Sequence, residues 1–155
     1  MRTRYSHLLL ALLLAALAGC AHVLPAPAPL GARQQVLAAA TAYLGAPYCR
    51  GGRGQPCLDC SGLVLAAYRE VGLDLPRSTA AQMRSGSPVE SLEPGDVVFF
   101  AARRGCPECR VTHCGIYLGE GQFIHASRSN GVMVSELAER HWRQRYLGGR
   151  RYLED

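Results

Sequence analysis

Apolar residues change their spacing once along this chain, and the change falls at Glu93-Pro94-Gly95. Upstream, Leu63, Val64, Ala67, Tyr68 and Val71 fall at i, i+1, i+4, i+5 and i+8, which predicts a helix over 61–71 with one broad apolar face laid against a sheet. Gly72 ends it. Residues 32–44 are rich in helix formers and close on Gly45-Ala46-Pro47, and a shorter helix over 78–84 follows Pro76 with Ser78 or Thr79 as its N-cap. Downstream, strand signals at 96–100, 111–118, 122–126 and 131–135 follow at short intervals and predict antiparallel pairing. A basic stretch with Arg140, His141, Arg143, Arg145, Arg150 and Arg151 reads as a short helix and a closing strand through Tyr152. Helices first and a meander after them make an α+β domain, its N-terminal helices packed on an antiparallel sheet. With 155 residues, 48% apolar and 19% charged, the chain has material for one such core and no second one.

The N-terminus stands apart from that domain. Arg2 and Arg4 precede the apolar run 8–17, whose ten residues are half of the about 20 needed to cross a bilayer, so residues 1–19 read as an export signal. The run ends Leu17-Ala18-Gly19-Cys20, which resembles the lipobox of bacterial lipoproteins. That resemblance implies a lipid on Cys20, which becomes the new N-terminus and anchors the protein to a membrane. Residues 20–31 are then the lipidated Cys and a Pro/Ala tether of extended character, and the folded domain is 32–155. Ala21, rather than Asp, after Cys20 fits the periplasmic face of the outer membrane in a Gram-negative cell, by analogy with known lipoproteins. Removing Arg2 and Arg4 lowers the net charge from +5 to +3, too little to demand a nucleic-acid partner, and none is expected.

Several chemistries are excluded outright. Every one of the 17 positive charges is Arg, so no Schiff base or Ser–Lys mechanism is available. Neither GxxxxGK[ST] nor GxGxxG occurs, which removes the usual phosphate-cradling loops. Seven Cys in a small exported chain suggest disulfides, but the number is odd. With Cys20 lipidated, six remain, and if one is a nucleophile at least one further thiol is unpaired.

Asp59-Cys60-Ser61-Gly62 stands between a Gly- and Arg-rich loop and the apolar helix, so Cys60 lies at or beside the helix's first turn. The positive end of the helix dipole there favours a thiolate, and Cys pKa values at such positions fall to roughly 3.5–7.5. A thiolate nucleophile needs a base, and the base needs an orienting partner. In 111–118, His113, Gly115 and Tyr117 share one face of the strand while Cys114, Ile116 and Leu118 share the other. If Gly119-Glu120-Gly121 closes a three-residue loop, Leu118 faces Gln122 and Gly115 faces His125. His113 and His125 then project from one face as diagonal neighbours, about 7–8 Å apart at the backbone.

These motifs arrive in an order that resembles the NlpC family of bacterial cell-wall cysteine peptidases: Tyr48-Cys49-Arg50-Gly51-Gly52, Asp59-Cys60-Ser61-Gly62, Leu75-Pro76-Arg77-Ser78 with Gln82, Pro94-Gly95-Asp96-Val97-Val98-Phe99-Phe100, His113-Cys114-Gly115-Ile116-Tyr117-Leu118-Gly119 and Phe123-Ile124-His125-Ala126-Ser127. The resemblance implies a papain-like α+β fold with Cys60 as nucleophile, His113 as base and His125 as orienting residue. It also implies that the Tyr48 hydroxyl and the Cys60 N–H hold the oxyanion, and that Asp59 and Ser61 line the substrate groove. Asp59 has a simpler alternative as a helix N-cap. Cys114 stands where the family usually has an aliphatic residue, and its core-side position predicts a buried, inert thiol. An insertion, 103–110, carries Cys106-Pro107-Glu108-Cys109. One CxxC is two ligands short of a closed zinc site, which Cys49 and Cys57 could complete only by a coincidence in space, and a redox-active pair lacks a surrounding thioredoxin-like βαβ pattern, so a disulfide is the better expectation in an exported protein. At least one disulfide is expected among Cys49, Cys57, Cys106 and Cys109, with pairing within or between the two loops equally allowed and Cys60 free.

The resemblance implies a peptidoglycan stem-peptide endopeptidase, a monomer needing no metal or cofactor, that cuts a D,L amide bond beside diaminopimelate through a thiol acyl-enzyme. The basic stretch 140–151 is either a solvated face or an attractor of carboxylate-rich stems. Two other readings use the same scaffold: a non-catalytic lipoprotein that binds murein or a partner, and an amidase or acyltransferase that resolves the acyl-enzyme differently.

Overall fold

The computed structural model of the chain describes residues 31–103 and 110–153. Helices lead and strands follow. The order is α1 (Ala32–Thr41), a ribbon of β1 (Arg53–Gly54) and β2 (Cys57–Leu58), α2 (Cys60–Arg69), α3 (Thr79–Ser85), β3 (Ser87–Val89), β4 (Val97–Ala101), β5 (Val111–Gly119), β6 (Gln122–Ser127), β7 (Gly131–Glu136), the single-turn α4 (Arg140–Arg143) and β8 (Tyr146–Arg151). The main sheet runs β3-β8-β4-β5-β6-β7 with every pair antiparallel, giving the expected α+β architecture. The closing strand does not end at an edge. It inserts between β4 and β3, a three-residue strand whose Pro88 suits an edge position.

Asp59 caps α2 by accepting the Gly62 N–H at 2.8 Å. At the other end the Gly72 N–H bonds the Arg69 carbonyl at 3.0 Å and the Leu73 N–H bonds that of Tyr68 at 3.1 Å, with Gly72 at φ 77°. This is the Schellman closure for which glycine is suited. The helix was expected to bury one face, yet every residue from Cys60 to Tyr68 is buried. The sheet lies on one side of it, while α1, the ribbon and α3 close over the rest. Gly62 permits that enclosure, since a Cβ there would sit 1.9 Å from the Gly52 carbonyl oxygen.

Helix α1 stops at Thr41 rather than Leu44. Its last turn tightens, with the Tyr43 and Leu44 N–H groups bonding the carbonyls of Ala40 and Thr41. Between helices and sheet the core is built on Val36, Leu63, Val64, Phe99, Ile116 and Ile124. Val98, Phe100 and Phe123 form a second cluster on the other face, beneath Trp142 and Tyr117. Both faces of β4 are therefore covered, which is why 97–100 is continuously apolar. Among the described residues no helix is long and apolar enough to cross a membrane. Residues 1–30, on which the expected export signal, Cys20 and nearly all of the expected tether fall, and residues 104–109 with Cys106 and Cys109 lie outside the described residues.

Candidate active site

Cys60 is the first residue of α2 and opens, 9% exposed, into a cleft of about 730 Å³ whose lining includes Tyr48, His113, His125, Trp142 and Arg145. Its Sγ lies 3.7 Å from Thr79 Oγ1 and 4.0 Å from the Thr112 carbonyl oxygen. The thiol is pulled down to about 4. The largest cause is a hydrogen bond from the Cys114 thiol; burial works in the opposite direction, and the His113 imidazole adds both a hydrogen bond and its positive charge. Cys60 is therefore a thiolate throughout the neutral range.

The histidines come from neighbouring strands, joined by a tighter turn than expected. Glu120 and Gly121, at φ 51° and 79°, make a two-residue turn, and Gly119 rather than Leu118 pairs with Gln122. Leu118 is squeezed out as a bulge. That extra residue restores Tyr117 opposite Phe123 and Ile116 opposite Ile124, the register a three-residue loop would have given. At Gly115 a Cβ would lie 2.6 Å from the Ile124 carbonyl oxygen and 3.0 Å from His125 Cβ, so a bare glycine leaves room for β6 to carry His125 close to His113.

His113 Nε2 lies 2.9 Å from His125 Nδ1, and His125 Nε2 lies 3.1 Å from Ser135 Oγ. Burial first, then the charges of His113 and His141, push His125 down to about 3, so it is neutral at ordinary pH and carries one ring proton. To accept a hydrogen bond from a protonated His113, its Nδ1 must be bare. The proton then sits on Nε2 and is donated to Ser135. Ser135 thereby selects the tautomer of His125, and His113 keeps Nδ1 for the thiol. Trp142 lies against both rings, its centroid 5.2 Å from His113 at 23° and 4.8 Å from His125.

Asp59 and Ser61, expected at the substrate groove, are not among the residues lining this cleft. Arg77 engages both Asp59 oxygens, at 3.0 and 2.7 Å, and also bonds Ser61 Oγ at 2.9 Å. The Gly51 and Gly62 N–H groups take further Asp59 acceptors. Burial would raise the Asp59 carboxyl, but Arg77 and these two N–H groups outweigh it and hold it below the usual carboxylate range. Tyr48 does line the cleft, on a loop zipped to β2 by the Cys49 N–H to the Leu58 carbonyl and by a Cys49–Cys57 disulfide. Those two sulfurs are consequently unavailable as zinc ligands for Cys106 and Cys109. Among the described residues no cluster of three or more His, Cys, Asp or Glu is placed to hold a metal.

The basic stretch divides rather than forming one face. Arg151 is paired with buried Asp96 and with Glu93, and Arg150 bonds the carbonyls of Met83 and Gly149. Only its N-terminal part reaches the cleft, through His141, Trp142 and Arg145. Ser135 and Trp142 were not singled out from the sequence. Ser135 shares its alternation with Met133, the partner of His125, and Trp142 is the chain's one tryptophan, embedded in a charged run.

Residues 45–151 match the NlpC/P60 family. Over 114 residues the chain is 42% identical to a protein of Escherichia coli (strain K12) named murein DD-endopeptidase MepS/murein LD-carboxypeptidase, covering 72% of this chain and 58% of that one. It is 39% identical over 128 residues to the gamma-DL-glutamyl hydrolase of Bacillus subtilis (strain 168), covering 80% of this chain and 30% of the relative. The chain thus spans little more than half the length of the first relative and less of the second. Among solved structures, an NlpC/P60 family protein from Bacillus cereus ATCC 10987 superposes with a TM-score of 0.75 at 32% identity, over 81% of this chain and 42% of that one. Sequence, fold and the order of the motifs agree, and the chain belongs to the NlpC/P60 family.

Proposed function

We propose that this chain is a cysteine peptidase that hydrolyses amide bonds in the peptide stems of peptidoglycan, with Cys60 as nucleophile, His113 as acid and base and His125 as orienting residue. The line Cys60–His113–His125–Ser135 on one cleft carries the reading, because it supplies a thiolate, a proton carrier and a fixed tautomer together. Sγ attacks the scissile carbonyl carbon, the oxyanion is received by the Cys60 N–H and the Tyr48 hydroxyl, and the His113 imidazolium gives its proton to the departing amine. Water, deprotonated by His113, then cleaves the thioester. Arg145 offers a cationic contact in the cleft for stem carboxylates. Asp59 and Ser61 act in this reading through Arg77, by holding the loop and the first turn of α2 that frame the groove.

We assign a D,L bond beside diaminopimelate, which the name of the Bacillus subtilis relative supports. The name of the Escherichia coli relative points instead to D,D and L,D bonds. Purified muropeptides incubated with the protein and resolved by mass decide: D,L cleavage is expected, a D,D product corrects the bond, and transfer to an amine marks an acyltransferase. No cleavage, with Cys60 alkylating at the pH of an ordinary thiol, favours a murein-binding role. We further propose that the protein is exported, acts as a monomer and is held at the envelope by lipid on Cys20. Lipid-precursor feeding should label wild type and not Cys20→Ser.

A further inference from the structure

Beneath the nucleophile lies a buried polar cluster that the Cys–His–His line does not use. Thr79, first residue of α3, brings Oγ1 to 3.7 Å from Cys60 Sγ and 3.9 Å from Cys114 Sγ. Cys114 is fully buried on the core face of β5, and its Sγ lies 3.6 Å from Gln82 Oε1. Gln82, also fully buried, donates Nε2–H to the Ser61 carbonyl at 3.1 Å, which ties the cluster to the first turn of α2. The thiol at 114 is buried as its face predicts, but it is not isolated. Two elements, α3 and β5, thus back the Cys60 sulfur from the side of the core.

We propose that Thr79, backed by Cys114, forms a second anion-holding wall for the Cys60 thiolate: Thr79 donates its hydroxyl to Sγ, and the Cys114 thiol, donating towards Thr79 Oγ1 and Gln82 Oε1, turns that hydroxyl proton to Cys60. The assignment rests on Cys60 being the nucleophile. When Cys60 passes its proton to His113 Nδ1, the negative sulfur becomes the strongest acceptor in the cluster, with the Thr79 hydroxyl as its neutral donor and the Cys114 thiol behind that hydroxyl. Burial pushes Cys114 well above an ordinary thiol, so it keeps the proton it must donate. The other titratable or charged groups around Cys60 and its cleft are His113 on β5, His125 on β6, Arg128 after it, Tyr48 ahead of the ribbon, His141 on α4 with Glu139 and Arg145 on either side, and the Asp59–Arg77 pair at the α2 cap. None of these supplies a donor from the core side. The wall thus steadies the thiolate before it attacks and again when hydrolysis of the thioester releases it.

The test is the pH profile of iodoacetamide alkylation, read by mass on the Cys60 peptide of the full-length protein, and it needs no substrate. Thr79→Val and Cys114→Val should each move the midpoint upward by about one pH unit. Thr79→Ser and Cys114→Ser, which keep a donor, should restore most of the shift. Added to His113→Ala, Thr79→Val should raise the midpoint further, since the two walls act separately. A wild-type midpoint well below an ordinary thiol, with both Val variants unmoved, overturns the proposal while leaving the nucleophile reading intact. An ordinary midpoint in wild type overturns both.

Discussion

The Ser135 hydroxyl bonds His125 on the side away from His113, and it decides which nitrogen of His125 is bare. Ser135→Ala should therefore lower kcat about tenfold, the scale of one hydrogen bond, and leave KM unchanged. His125→Ala, which removes the orienting ring itself, should cost far more, of order 100-fold upward. Steady-state kinetics on a defined muropeptide separates the two. Tyr48→Phe should lower turnover by about 100-fold or more with the fold intact, as expected for one oxyanion donor. The principal residues were legible because each sits where a local rule places it: Cys60 at a capped helix start, His113 and His125 on a strand face of period two. Ser135 and Trp142 were not, because their roles depend on the β6–β7 register and on α4 lying back over the far face of the sheet. Neither is a property of neighbouring letters. Cys114 is an intermediate case, its face readable and its neighbour at Thr79 visible only in three dimensions.

Helix α2 is held at its N-terminal end as tightly as a helix can be. Asp59 caps it, Arg77 clamps the cap, and the Gly52 carbonyl presses on Gly62 with no space for a methyl group. Gly62→Ala must push the ribbon loop outward or shift the first turn, at about 1–3 kcal/mol, the range for overpacking. The melting temperature should fall, and activity should fall further than stability alone explains, because Cys60 moves with that turn. Comparing activity well below the melting temperature with Cys60 alkylation checks this. The ends of α2 were legible from Asp59 and Gly72, whose chemistry is local. Strand β3 was not, being three residues with a proline, and neither was the bulge at Leu118, since alternation records the face of a residue and not whether it is paired.

Across the whole molecule the buried His125 ties stability to pH. It falls from an ordinary 6.5 to about 3, so between those values the unfolded chain holds a proton that the native ring does not. Stability therefore rises with pH over this range, by at most about 1.4 kcal/mol per pH unit, and is lost on acidification. Calorimetry should show the melting temperature declining from about pH 6.5 towards pH 3. His125→Asn should flatten that decline. One further consequence follows from the indole lying against His113. As the chain's one tryptophan, Trp142 is the source of all its indole fluorescence, and a protonated imidazole in contact with an indole quenches its emission. The protein thus carries its own optical reporter of the proton on the proposed base, His113. Emission should brighten in stopped flow when that proton passes to the leaving amine during turnover, and His113→Ala should show no such change.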